Sequence, residues 1–256
     1  MNYSRVLALV VLLGVASPSL AHFHMLFPDK PSGERDKPVT FTLMWGHPFE
    51  QQLFDASPPE QVRVWSPSGG PIGPIEPFKK IERPAADGKK VVAYQFEFTP
   101  KERGDYTVEI QMPPIWMPEE KIFFADTVKV LYHVTTQKGW DVMTNKTGLD
   151  LSPLTRPYGL QPGMVFQAQA SLSEKPLAGA LVEVERYNPV APKELPPDEQ
   201  ITRQVKTDRS GVATCSLMEA GWWCVTVVNK SVSREKDGEK FPIHHRVTYW
   251  VFVDGK

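Results

Sequence analysis

Cysteine is almost missing from this chain of 256 residues, which has two, Cys215 and Cys224. A scaffold held mainly by disulfides is therefore excluded. A charge excess of either sign is missing too: 29 Lys+Arg face 30 Asp+Glu, for a net charge of −1. Nucleic-acid binders carry a basic excess, so electrostatics give no support for one. Apolar runs of bilayer length are absent, which excludes a multi-span membrane protein. No GxSxG, phosphate loop, GxGxxG or HExxH occurs, and no carboxylates form a readable acid/base pair. The chain therefore reads as a non-enzyme. What it does have is proline, at 25 residues. Helix interiors exclude proline, so a β-rich chain with many turns is expected. Hydrophobic residues at 41% are too frequent, at this low net charge, for a wholly disordered chain.

Residues 1–21 read as a secretory signal peptide. Arg5 supplies the positive start, residues 6–16 form the apolar stretch, and Ser19 and Ala21 place small residues at a cleavage site. The apolar stretch is shorter than the roughly 20 residues that span a bilayer, so cleavage is expected rather than anchoring. The mature protein would then start at His22 and be soluble and periplasmic.

The rest reads as all-β, with two β-sandwich domains of immunoglobulin-like or transthyretin-like type. The first occupies 22–140 and the second 141–256. Strand patterns fall at 38–45, 61–65, 90–98, 105–110, 126–134, 164–172 and 181–187. GDYTVEI (104–110) resembles the late strand of an immunoglobulin-like sandwich, where a Gly-x-Tyr corner precedes the strand. The proline-rich stretch 112–124 is expected to be a loop that packs Ile115 and Trp116 onto a sheet, and 188–200 an exposed loop. Cys215 and Cys224 flank SLMEAGWW, which reads as strand, turn, strand. A turn at Glu219-Ala220 would set the cysteines opposite each other, close enough for a disulfide. The alternative is two buried thiols.

All six histidines lie after residue 21. A mature terminus His22-Phe23-His24 offers two metal modes. In one, the α-amine, two deprotonated amides and the His24 ring make four nitrogens, a set that suits Ni(II) or Cu(II). In the other, a histidine brace, the amine and ring of His22 chelate one ion with a second histidine. His47, in the rim turn of TLMWGHPFE (42–50), is the first choice for that partner. On an extended strand His22 and His24 share a face. His133, His244 and His245 are weaker ligand candidates.

The order of motifs carries a resemblance. After the signal segment come AHFHMLFP, WGHPFEQQLFDA, KVLYHVTTQKGWD, GLDLSPLTRPYGLQPGMVF, EKPLAGALVEVE and KTDRSGVATCSLMEAGWW. This series resembles an exported family of unknown function associated with nickel and cobalt uptake. Its members are described as periplasmic components of energy-coupling-factor-type nickel/cobalt transporters. The resemblance implies His22, His24 and His47 as metal contacts. It also implies Ni(II) or Co(II) as the ion and the membrane component of a transporter as the partner. Two alternatives stay open: a copper protein or oxidative enzyme built on a histidine brace, and a structural sandwich module with no metal.

Overall fold

The computed structural model describes residues 22–255 apart from 73, 74, 76 and 77. The signal segment expected at 1–21 lies outside the described residues. The described chain is all-β, with one four-residue helix, Asp198–Ile201.

Three sheets build it. A ten-stranded sheet runs the length of the molecule, and two smaller sheets cover it. Alternation explains how one sheet serves two cores. In strand Ile122–Val134, the side chains of Val128, Val130, Tyr132 and Val134 enter the first core, while Leu131 enters the second. The first core lies between this sheet and the sheet of Phe23–Pro28, Val39–His47, Lys90–Phe98 and Lys79–Pro84. The second lies between it and the sheet of Leu149–Pro153, Met164–Leu172 and Val212–Leu217. Both are sheet-on-sheet sandwiches.

The two halves of the long sheet meet at a parallel seam. Ile122–Val134 pairs with Glu239–Val253, from Phe123↔Ile243 to Val130↔Trp250. Trp250 and Cys224, from the second half of the chain, are fully buried in the first core. The corner expected at Tyr106 is present. Its hydroxyl donates to the Glu102 carbonyl at 3.0 Å and accepts the Glu102 N–H at 2.6 Å.

Two local expectations are corrected. Cys215 and Cys224 are free, buried thiols and form no disulfide. Residues 218–220 do not close a hairpin but cross from one sheet to another. Val212–Leu217 pairs with Met164–Leu172, whereas Gly221–Lys236 joins the long sheet. Cys215 therefore packs in the second core and Cys224 in the first. Burial raises both thiols, Cys215 to about 11. The stretch 112–124 also contains regular structure. Ile115–Met117 pairs with Ile122–Val134, and Trp116 rests on Phe123 with ring centroids 4.9 Å apart. Its prolines lie before and after the paired residues, so no ladder bond is lost.

Candidate functional site

The site grows from one antiparallel pair at a sheet edge. Phe23–Pro28 pairs with Val39–His47 in the register Phe23↔Gly46 and His24↔Trp45. One step further, His22 meets His47, with ring centroids 4.4 Å apart at 70°. Period-two alternation puts His22, His24, Trp45 and His47 on the same face. Trp45 lies against both neighbouring histidines, 5.3 Å from His22 and 4.2 Å from His24. Phe54 closes the other flank, 5.3 Å from His22 and 5.9 Å from His47. His22 and His47 open onto a cleft of about 540 Å³, whose other walls include Gln52, Phe54, Met117 and Glu120.

Gly46 makes this edge. The chain returns through Gln52–Phe54, and a Cβ on Gly46 would lie 2.1 Å from the Gln52 carbonyl oxygen. Its φ of +148° also disfavours other residues. The turn after His47 is tied to the second half of the chain. Glu185 accepts the Phe49 N–H at 3.0 Å and the Thr202 hydroxyl at 2.6 Å. The Asn188 side-chain amide donates to the Phe49 carbonyl at 2.7 Å. Burial raises the Glu185 carboxyl to about 7, against the lowering effect of these two donors.

The three sequence-predicted histidines differ in what holds them. His47 is buried and its Nε2 has no hydrogen-bond partner. Its Nδ1 lies 3.8 Å from Glu50. Burial, and then the proximity of His22, lowers its pKa to about 4, so the ring is neutral near pH 7. His24 is committed elsewhere: its Nδ1 contacts Asp126 at 2.7 Å. Arg246 grips the same carboxylate through two bonds of 2.7 and 2.6 Å. Burial works to raise Asp126, but Arg246 and His24 outweigh it and hold the carboxyl well below its ordinary range. Burial lowers His24 despite Asp126. An Nδ1 proton facing the carboxylate leaves the His24 Nε2 lone pair exposed to the protein interior, where it has no partner.

A family model described as a domain of unknown function, DUF4198, matches residues 19–231. The chain belongs to the DUF4198 family. That description names no metal and no transporter. No curated protein matches the chain. Among solved structures, trypsin-activated α2-macroglobulin from Escherichia coli is similar at 14% identity and a TM-score of 0.27, over 93% of this chain and 16% of that one. A DUF4785 family protein from Legionella pneumophila is similar at 9% identity and a TM-score of 0.28, over 81% and 52%. The D0-D1 domain of intimin is similar at 11% identity and a TM-score of 0.19, over 90% and 98%. The DUF4198 chain thus spans less than two thirds of the first two proteins.

Within the described residues of this DUF4198 chain, no three His, Cys, Asp or Glu side chains converge as a metal-holding group. His22 and His47 are a pair, and His24 lies along the same face behind Trp45. The other histidines stand apart from them. His133 contacts Asp105 at 2.6 Å and stacks on Tyr158 at 4.0 Å. His244 lies 6.0 Å from Phe124, and His245 is registered with Asn229. Sequence reading missed Trp45, Phe54 and Met117 as walls of the site. Alternation from His47 reaches Trp45; no sequence signal brings in Phe54 or Met117.

Proposed function

We propose that this DUF4198 chain is an exported, non-enzymatic protein that binds one transition-metal ion at its mature amino terminus. The observation that carries the reading is the His22–His47 pair, with the buried Nε2 of His47 unpartnered and its ring neutral. Cleavage after Ala21 would add the third donor, the His22 α-amine. The amine and ring of His22 with the ring of His47 make a three-nitrogen brace. The four-nitrogen mode fits less well. It needs the amides of Phe23 and His24 and the His24 Nδ1. Phe23 and His24 lie in a paired strand, and that Nδ1 faces Asp126.

A nitrogen set holds divalent ions in the order Co(II), Ni(II), Cu(II), with Zn(II) below copper. The family resemblance favours Ni(II) or Co(II), with periplasmic capture and delivery to the membrane component of an uptake transporter. Ligand chemistry alone favours Cu(II), so metal supply and the partner would have to set the outcome. The protein's part is to bind the ion, keep His47 neutral and limit water at the buried flank.

The test is calorimetric titration of the mature protein, its terminus fixed as His22 by mass spectrometry, with Ni(II), Co(II), Cu(II) and Zn(II). Three proteins are compared: the mature chain, a version with one alanine before His22, and His47→Ala. One-to-one binding that weakens at least tenfold in both altered forms is the expected result. Equal binding in all three would remove the terminal site. Binding lost on extension but kept in His47→Ala would replace the brace with the four-nitrogen mode.

A further inference from the structure

A second cluster of reactive side chains lies on the face of the long sheet turned away from His22, His24 and His47. Lys129, on Ile122–Val134, is 1% exposed, and Asp150, on Leu149–Pro153, is fully buried. The Lys129 Nζ donates to Asp150 Oδ1. It also lies 3.4 Å from the Leu151 carbonyl and 3.9 Å from Glu109 Oε2. Glu109 comes from the neighbouring strand, Gly104–Gln111, and is 5% exposed. It accepts the Thr144 hydroxyl and lies 3.6 Å from Arg63. Asp150 also accepts from Ser152 at 2.6 Å and Thr144 at 3.2 Å. An amine, a carboxyl group and a second carboxylate therefore meet in a water-poor space beside Leu131, Leu149 and Leu151.

Burying an ammonium and a carboxylate is costly even when they pair. Lys129 and Asp150 nonetheless stand in direct contact, an amine set against a carboxyl group. These are the reactants for an amide. Contact between nucleophile and electrophile supplies the positioning that makes such a step effectively unimolecular, and an adjacent carboxylate supplies the proton carrier.

We propose that Lys129 and Asp150 condense to an intramolecular isopeptide bond, with Glu109 as the proton carrier. The amine lone pair attacks Asp150 Cγ. Glu109 takes a proton from the nitrogen and returns it to the departing hydroxyl. The Cγ–O bond breaks, the C–N bond forms, and one water leaves. No oxidant or other reactant is required. The product joins the long sheet to the first strand of the second sandwich, bridging the connector at 135–148.

The test is mass spectrometry of the denatured mature protein, intact and after trypsin digestion. The expected result is a mass short by one water, no cleavage after Lys129, and a branched peptide that joins Lys129 to Asp150. A wild-type protein of full sequence mass, cleaved after Lys129, would overturn the proposal. Asp150→Ala should show the full mass. Glu109→Gln keeps the side-chain volume and should form the bond at least tenfold more slowly after refolding. Unslowed bond formation in that variant would overturn the role of Glu109. Because the wild-type measurement needs no variant to fold, the proposal stands or falls on it.

Discussion

His47 combines a buried, unpartnered Nε2 with a pKa lowered to about 4. That has a consequence for stability without any metal. The unfolded chain takes up a proton at this ring near 6.5, whereas the folded chain resists until about 4. As pH falls through that window, the unfolded state binds more protons and folding weakens. Above 6.5 both states are neutral and the ring contributes nothing to the pH dependence. Other groups titrate in the same range. The Glu185 carboxyl, raised to about 7, has the opposite sign and weakens folding as pH rises from 4.5. The decisive quantity is thus a difference between proteins. We expect His47→Gln to lose less stability than wild type between pH 7 and pH 4.5, read from urea midpoints. Equal losses would mean that His47 is as easily protonated in the fold as in the unfolded chain.

At the scale of strands and turns, the histidine pair depends on Gly46 more than on the histidines themselves. A methyl group there would meet the Gln52 carbonyl at 2.1 Å, in a backbone conformation that other residues avoid. Gly46→Ala should therefore cost more than about 1 kcal/mol, seen in the urea midpoint, and should weaken metal binding as much as His47→Ala does. A neutral substitution would show that the rim can relax. Strand patterning explains what was legible here. The expected ranges 61–65, 90–98 and 164–172 coincide with Gln61–Trp65, Lys90–Phe98 and Met164–Leu172. Alternation and turn residues are local signals, and these strands obey them. The same logic failed at the cysteines, because local pattern cannot tell a hairpin from a chain that leaves one sheet for another. It set His22 and His24 on one face but gave no hint of Asp126, which is 102 residues from His24 and reaches it only through the packed sheets.

For the whole molecule, the sharing of one sheet between two cores is the property that sequence reading did not reach. A division at 140 follows the order of strand and turn patterns, yet the last strand crosses back. Trp250 is fully buried in the first core, against the strand that bears His24: its ring lies 4.8 Å from Phe27, and the His24 carbonyl accepts its indole N–H at 2.9 Å. Tyr187 and Trp222 also lie on Phe27, at 4.7 and 5.1 Å. The second half of the chain thus completes the wall behind the proposed metal strand. Large-to-small changes at such a position typically cost about 3–5 kcal/mol. Two separate domains would confine that loss to one of them. Here the parallel seam links both cores through continuous backbone pairing, so the loss should spread. We expect Trp250→Ala to lower the unfolding midpoint of both sandwiches together, with hydrogen exchange in Met164–Leu172 rising in step with that in Val39–His47. Exchange that rises in the first strand alone would mean that the seam transmits little and that the two cores unfold independently.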